Sequence, residues 1–449
     1  MALLARFPGR TAVAPRSGYS GAPAGSPRRI FAAVVAIVLL SSLLARQSWA
    51  QQLLVPMDEA QQNHLKAYGL VYNSLKAGER GEWLLNYRGG SFLLPDVPDV
   101  QRRAALAGVS VETLDAAALA RVRQEVAGGN MDAVPLEKAP RVAIYTPPEA
   151  PPWDDAVTLA LDYAEIEYDK VWDPQVLAGD LSNYDWLHLH HEDFTGQLNK
   201  LYMTYRDTPW FIAQRDDNLR EAKRLGYANI PEVKKAVAES IRSFVEKGGF
   251  LFAMCGATET LELAIAGHDV DIAAPYADGT PIALDADQRM DWSRTLAFRD
   301  AKVEKSPTLY SQSNIDGHQV NVPGRRQQLG AFTLFAFSAK FDPVATMLVQ
   351  DHRNVIPDFY GVTTSFMKST LKPGATVLAY EEGAPWVKYV HGDYGKGSWT
   401  YLGGHDPEDP QHAIGAAPTD LSLHPNSPGY RLILNNLLFP AAKKKPLKT

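Results

Sequence analysis

From residue 141 onward, the hydrophobic positions of the chain follow two alternating periods. The apolar runs at 142–146 and 249–254 are typical of parallel strands that are covered on both faces, and 168–172 and 185–190 are predicted as further strands. Between these runs apolar residues recur at helical intervals, most clearly over 231–247. Repeated strand–helix–strand units predict an α/β fold built on a doubly wound, mostly parallel sheet.

The region before residue 141 has a different pattern. Apolar periodicity predicts helices over 57–78, 97–107 and 113–127, and two short strands flank the turn at 88–90. We expect residues 51–140 to form a helical N-terminal elaboration. The proline-containing stretch 133–140 would link this elaboration to the α/β domain.

The α/β domain is predicted to extend over residues 141–440, with two insertions. The insertion at 194–230 is aromatic and charged, and it is either a lid over the site or a packing excursion. The insertion at 268–345 has an irregular pattern that we interpret as β-rich. The domain then returns to regular elements, with strands predicted at 375–380, 387–390 and 398–402 and a closing helix at 430–438.

The first 50 residues predict a cleavable leader. They contain six arginines and no acidic residue, and residues 30–44 form a 15-residue apolar stretch, too short to span a bilayer as a helix. The small residues Ser48 and Ala50 match signal-peptidase specificity, so we expect cleavage after Ala50 and export. Arg28 and Arg29 fit twin-arginine export as well as an ordinary signal. The alternative is a membrane anchor.

Charge and cysteine content narrow the class of partner. The chain carries 45 basic and 51 acidic side chains, and the leader holds six of the basic ones, so the exported protein would have a net charge of −12. This charge disfavours nucleic acid and anionic membranes as partners. A single cysteine excludes an intramolecular disulfide framework. No nucleotide-binding motif occurs, so we predict a periplasmic or secreted protein with a small-molecule ligand and no cofactor.

The single cysteine, Cys255, follows the predicted strand at 249–254 and precedes a helix predicted over 258–266. A strand, a tight turn with a nucleophile and a helix form the elbow of α/β hydrolytic sites. The small residues Gly256 and Ala257 permit such a turn, and their N–H groups would lower the thiol pKa and stabilise an oxyanion. The alternative is that Cys255 is a small buried residue at a strand end.

A second candidate lies after the strand at 398–402, where two glycines precede His405, Asp406 and Glu408. His405 would act as the general base, and either acid would orient its ring through the second nitrogen. Ligands of α/β sheets bind beyond the carboxyl ends of strands, which favours a site over a surface loop.

A histidine-rich loop follows the predicted strand at 185–190. His190, His191, Glu192 and Asp193 project beyond its carboxyl end, and His405 would complete a metal-ligand set. The alternative is that His190 and His191 line a cleft without metal. Because no spacing matches a standard zinc signature, the sequence alone assigns no metal.

Two stretches resemble a known superfamily. The elbow at 252–257 and the string Gly-His-Asp-Pro-Glu within 399–408 resemble the class I glutamine amidotransferase-like superfamily, the latter most closely its ThuA-like branch. The resemblance covers roughly 141–438 and implies a flavodoxin-like fold. It also implies a cysteine nucleophile, a histidine base and an acid two residues after the histidine. Here position 407 is proline, and acids stand at 406 and 408.

The whole chain also resembles exported bacterial proteins labelled asparagine synthetase B, including at 64–69, 86–91 and 188–194. Synthetase activity is not expected, because the processed chain would begin with Gln51 rather than a cysteine and no ATP-pyrophosphatase motif is present. Three functions remain: a thiol hydrolase acting on an amide or ester through Cys255 and His405, a metal-assisted or carbohydrate-directed hydrolase, and a non-catalytic periplasmic binding protein.

Overall fold

The computed structural model describes residues 51–148, 155–317, 330–349, 353–359, 361–410 and 416–443. The predicted leader at 1–50 therefore lies outside the described residues. Within the described ranges, every helix is either too short or too polar to cross a membrane.

The N-terminal region combines helices with a five-stranded antiparallel sheet. Its strands are β1 (Gln52–Val55), β2 (Gly81–Leu85), β3 (Phe92–Pro95), β4 (Glu112–Leu114) and β5 (Asp132–Leu136), in the order β4-β1-β3-β2-β5. Its helices are α1 (His64–Lys76), α2 (Pro98–Ala107) and α3 (Ala116–Gly128). The predicted helices and the two short strands that flank the turn at 88–90 are confirmed as α1 to α3, β2 and β3, whereas β1, β4 and β5 were not predicted. Strands β1 and β4 are too short to show a period, and β5 is an edge strand that tolerates Pro135 in the expected linker.

A second sheet contains ten strands of the described chain. They are β6 (Val142–Tyr145), β7 (Asp169–Val171), β8 (Trp186–Leu189), β9 (Phe250–Met254), β10 (Ala331–Leu334), β11 (Val355–Pro357), β12 (Phe366–Met367), β13 (Thr376–Tyr380), β14 (Trp386–Tyr394) and β15 (Gly397–Leu402). Their order is β11-β10-β13-β14-β15-β9-β8-β6-β7, and β12 pairs with β14.

The strand directions make the fold a mixed α/β architecture. Strands β15, β9, β8, β6 and β7 are mutually parallel, whereas the pairings from β15 outward to β11 are antiparallel. With the N-terminal sheet included, antiparallel pairing predominates, so the prediction of a mostly parallel sheet is wrong. The physical reason lies in the tight turn at 395–396, because a hairpin that short joins only antiparallel strands.

Helices cover both faces of the parallel strands. The α-helices that the structure describes after residue 141 are α4 (Ala156–Tyr163), α5 (Asp173–Ala178), α6 (Tyr202–Tyr205), α7 (Pro209–Arg224), α8 (Ile230–Lys247), α9 (Ala257–Ala266), α10 (Pro275–Asp278), α11 (Ala286–Arg289), α12 (Ala345–Leu348) and α13 (Pro428–Leu438). Successive residues of β6 enter different cores. Ile144 belongs to the core that includes Leu434 of α13, and Ala143 to the one that includes Ile241 of α8.

The two predicted insertions differ in regularity. Helices α6 and α7 occupy the insertion at 194–230. In the described part of the insertion at 268–345, two short helices and isolated bridges such as Val303 with Ser313 precede the single strand β10. This segment is therefore irregular rather than β-rich.

Candidate functional site

The elbow at Cys255 is present and strained. Cys255 lies between β9 and α9 with a φ of 49°, in the left-handed region that residues other than glycine rarely adopt. Its side chain is 1 % exposed. Thr258 holds the turn, because its backbone N–H and its hydroxyl both donate to the Cys255 carbonyl oxygen, at 3.3 and 2.7 Å.

The surroundings of the thiol do not favour the thiolate. Burial raises the pKa of Cys255, and the backbone N–H groups of Val362, Gly256 and Thr363 offset only part of that rise. A protonated thiol is a weak nucleophile. The Gly256 amide is directed at the sulfur as the sequence predicts, but the Ala257 amide donates to the His190 carbonyl oxygen at 3.0 Å.

His405 lies near Cys255, as predicted. A Cβ atom placed on Gly361 would stand 3.0 Å from His405 Cβ and 3.1 Å from Cys255 Sγ, so the two side chains flank the same glycine. A larger residue at 361 would have to displace one of them. The fold thus brings together the strand ends after β9 and β15.

The two acids proposed to orient His405 both have partners in their own loop region. Asp406 is buried, and it accepts the N–H groups of Glu408 at 2.9 Å and Asp409 at 3.2 Å and the hydroxyl of Thr419 at 2.9 Å. Glu408 Oε2 lies 3.1 Å from Nδ1 of His424. These contacts give both carboxylates a clear role in holding the loop.

Three histidines converge at the carboxyl edge of the parallel strands. One ring nitrogen from each of His190, His191 and His405 lies within 4.8 Å of the others. The ring centroids of His190 and His405 are 4.3 Å apart, and the His191 and His405 rings are nearly parallel at 5.9 Å. Consecutive side chains of a strand point to opposite faces, so this convergence requires the chain to turn after β8 ends at Leu189.

A buried second layer fixes the state of His190. His188 Nδ1 lies 3.0 Å from the carbonyl oxygen of Phe252, and His188 Nε2 lies 3.2 Å from Asp155 Oδ2 and 3.3 Å from His190 Nδ1. The other carboxylate oxygen, Asp155 Oδ1, lies 3.4 Å from His190 Nδ1. An ionised carboxylate can only accept, so a neutral His190 that donates to it is protonated on Nδ1 and carries a lone pair on Nε2.

Asp155 is held ionised in this layer. Burial opposes its ionisation, but the His188 and His190 rings hold its pKa well below the usual range. Asp155 is also the N-cap of α4, and its Oδ1 accepts the N–H groups of Val157 and Thr158 at 2.6 and 3.2 Å. One carboxylate therefore ties the start of a helix to the histidine cluster.

The two remaining candidates in the histidine loop, Glu192 and Asp193, accept hydrogen bonds from nearby backbone N–H groups. Glu192 Oε2 accepts the His190 N–H at 3.0 Å. The Asp193 carboxylate accepts the N–H groups of Thr195 at 2.8 Å and Asn199 at 2.7 Å. Burial raises the pKa of both acids, although these N–H donors act to lower it. Of the four candidates in this loop, His190 and His191 face His405, and the two acids shape the backbone.

Three parts of the site escaped the sequence reasoning. Asp155 follows β6, so the rule that ligands bind at strand carboxyl ends would have been the signal for it. Asn199 donates to the His191 carbonyl oxygen at 2.9 Å, within an insertion that showed no motif. The segment 361–363 meets Cys255 and His405, and no local pattern marks it.

No known family model matches the chain, and no curated protein matches it. Among solved structures it is similar to cytoplasmic protein STM3548 from Salmonella typhimurium and to cytoplasmic protein STM1381 from Salmonella typhimurium LT2, at 11 % and 12 % identity. Each match covers 68 % of this chain and 100 % of the other, with TM-scores of 0.33 and 0.32.

A further similar structure is Gan42B, a GH42 beta-galactosidase from G. stearothermophilus. The identity is 12 %, and the match covers 60 % of this chain and 28 % of that one, with a TM-score of 0.25. TM-scores this low carry no argument about function.

Proposed function

We propose that this chain is a metal-assisted hydrolase that holds a divalent ion such as Zn²⁺ on His190, His191 and His405. The observation that carries the proposal is the approach of their three ring nitrogens to within 4.8 Å of one another. Three histidines with a fourth position open to water form a ligand set of catalytic zinc sites. The donor chemistry therefore fits the ion.

The second layer supports the same assignment. A metal-bound histidine usually donates its other ring N–H to a carboxylate or another acceptor, which fixes the tautomer and the ring orientation. The Asp155 carboxylate faces Nδ1 of His190 in this way, at 3.4 Å. The lone pair on His190 Nε2 is the form that a metal ligand needs.

We also propose that the parallel half of the large sheet is a doubly wound, flavodoxin-like unit. In chain order its five strands β6, β7, β8, β9 and β15 are arranged 2-1-3-4-5. The strand order reverses between β6 and β8, and ligands of such sheets bind at that switch point. His190 and His191 follow β8 directly, which agrees with a site there.

The proposed chemistry assigns distinct tasks to the residues around the ion. The ion would lower the pKa of a bound water and polarise the carbonyl of an ester or amide. Asp155 keeps the proton of His190 on Nδ1. Cys255 and the amides of Val362 and Thr363 form the neighbouring wall, near His405.

The direct test is metal stoichiometry together with turnover. Purified protein is dialysed against Zn²⁺, its metal content is measured by mass spectrometry, and hydrolysis of p-nitrophenyl esters and small amides is followed. We expect one Zn²⁺ per chain and turnover that is lost with a chelator and restored by Zn²⁺. Failure to bind stoichiometric metal would overturn the proposal.

A thiol hydrolase is the second candidate, favoured by the left-handed φ of 49° at Cys255 and by the nearby His405. The variant Cys255→Ala separates the two mechanisms. Loss of a catalytic nucleophile lowers kcat by on the order of 10⁴-fold or more. We expect the variant to keep its Zn²⁺ and most of its turnover, and a loss of that size with Zn²⁺ retained would favour the thiol.

Export remains part of the proposal. It is supported by the arginine-rich, acid-free start of the chain and by the apolar stretch at 30–44. Expression of the full chain in a Gram-negative host, followed by fractionation and N-terminal sequencing, should yield a periplasmic protein that begins at Gln51. An unprocessed protein in the membrane fraction would instead support an anchor.

A further inference from the structure

A left-handed turn lies beside the histidine cluster. Leu198, Asn199 and Lys200 have φ values of 51°, 56° and 55° in succession. Left-handed backbone is unfavourable for residues other than glycine, and asparagine is among those that tolerate it best. Three such residues in a row persist only where surrounding contacts hold them.

Two buried groups hold this turn. The Asp193 carboxylate accepts the backbone N–H of Asn199 at 2.7 Å. The Lys200 ammonium donates to the carbonyl oxygens of Glu304, Ser306 and Ser311 at 2.7, 3.2 and 2.9 Å. The turn is thus anchored at the backbone of Asn199 and at the side chain of Lys200, which restricts the direction of the Asn199 side chain.

That side chain reaches the site. Asn199 Nδ2 donates to the His191 carbonyl oxygen at 2.9 Å, and its Oδ1 lies 3.6 Å from the position of a Cβ on Gly256. The preceding carbonyl, that of His190, accepts the Ala257 N–H at 3.0 Å. Each of the two consecutive histidines therefore has its carbonyl oxygen held by a separate donor.

We propose that Asn199 is a positioning residue for His191. Its amide holds the His191 carbonyl, keeps the chain turned after β8 and so directs the His191 ring towards His190 and His405. The proposal rests on the proposed function where it treats these rings as metal ligands. Asparagine meets both demands of the position, since it tolerates left-handed backbone and provides an N–H donor.

Two variants separate the donor from the backbone conformation. Asn199→Asp keeps the shape and the tolerance for left-handed φ but cannot donate to a carbonyl, and Asn199→Gly removes the amide without backbone strain. Asn218→Asp is the matched control, because Asn218 Nδ2 donates to the Gln214 carbonyl oxygen at 2.8 Å on exposed α7. Thermal unfolding identifies any variant that fails to fold.

Two readouts are measured on the full chain. Co²⁺ affinity and the Co²⁺ d–d spectrum report the ligand set, and the rate at which diethyl pyrocarbonate modifies His191, read by peptide mass spectrometry, reports its position. For both Asn199 variants we expect Co²⁺ binding to weaken by about 10–100-fold, as for other groups that orient a metal ligand. We also expect a changed spectrum and faster modification of His191, with Asn218→Asp like the wild type.

The outcomes are distinct. If the wild type binds no Co²⁺, the proposed function fails, and the modification rate of His191 alone decides the role of Asn199. If diethyl pyrocarbonate modifies His191 in the folded Asn199 variants at the wild-type rate, the positioning role is overturned. The same holds if these variants bind Co²⁺ with the wild-type affinity and spectrum. A faster modification in both variants and not in the control, with weaker Co²⁺ binding where the wild type binds Co²⁺, supports it.

Discussion

The two ends of the parallel strands differ in chemistry although the same strands build both. At the amino end lies a cavity of about 850 Å³, bordered by exposed or half-exposed groups such as Arg141, Asp185 and Lys247. At the carboxyl end, Asp155 and His190 are buried in contact with each other. Burying polar groups costs free energy unless they are partnered, so a dense buried cluster marks a site more reliably than empty volume does.

The charged pairs at the two ends show the same contrast. Arg141 and Asp185 form an ion pair at 3.0 Å with side chains 51 % and 36 % exposed, a setting in which such pairs contribute little. Asp155 contacts His188 and His190, whose side chains have no exposed surface. Substitutions at the carboxyl end are therefore predicted to have large effects on metal affinity and turnover, and those at the amino end to have almost none.

The largest expected effect is at His405. His405→Ala removes one of three proposed ligands, so Zn²⁺ affinity should fall by more than the roughly 10–100-fold typical of an outer-layer change. Turnover should be lost with it. Equilibrium dialysis measures the affinity, and His268→Ala serves as the control because His268 pairs with Asp269, outside the cluster and outside the loop that carries His405. Equal Zn²⁺ affinity in the two variants would contradict the assignment of the metal site to the carboxyl end of the strands.

Asp155→Ala should have the next largest effect. Losing the carboxylate beside His190 Nδ1 should weaken Zn²⁺ binding by about 10–100-fold. The variant also loses a helix cap worth about 1 kcal/mol. Asp115→Ala is the control, because Asp115 caps α3 through the Ala118 N–H without touching a histidine of the cluster. Urea unfolding should show the loss of a cap in both variants and a larger destabilisation in Asp155→Ala, which also removes the carboxylate beside buried His188 and His190. A loss of Zn²⁺ affinity shared by both variants would refute the role assigned to Asp155.

A moderate effect is expected at Glu259, one turn after Cys255 in α9. Burial raises the pKa of Glu259 to about 7, although the hydroxyls of Ser313 and Thr363 donate to its carboxylate and act to lower the pKa. Because the folded pKa exceeds the unfolded one, the folded state keeps a proton that the unfolded state releases. The stability that the protonated Glu259 contributes is therefore fully present below about pH 4.5 and is lost as the pH rises through 7.

The corresponding measurement is urea unfolding of the wild type and Glu259→Gln between pH 5 and pH 8. The free energy of unfolding of the wild type should fall across this range by on the order of 1–3 kcal/mol more than that of the variant. Parallel pH profiles for the two proteins would show that Glu259 does not titrate there.

The smallest effect is expected at the amino end. Arg141→Ala breaks the exposed pair with Asp185 and should lower the free energy of unfolding by at most about 1 kcal/mol. Zn²⁺ affinity and turnover should match those of the wild type. A change in metal affinity would show that the amino end also contributes to the site.

Local pattern was sufficient for the elements with a clear period. The strand before Cys255, the helix after it and the long amphipathic helix α8 all lie within a few residues of their predicted bounds. The nearness of Cys255 and His405 was predictable too, because both follow strands that end at one edge of a parallel sheet. These conclusions need only local periodicity and one topological rule.

The sequence by itself determined the α/β class, the elbow and the choice of His190, His191 and His405 as candidates. Only the tertiary structure decided the strand directions beyond β15, the engagement of Asp406 and Glu408 within their loop region, and the meeting of Asp155 with His188 and His190. The physical reason is that these contacts leave no local period in the sequence. Asp155 lies 33 residues from His188, and Thr419 and His424, which contact Asp406 and Glu408, lie outside the strands and helices, so packing alone brings these groups together.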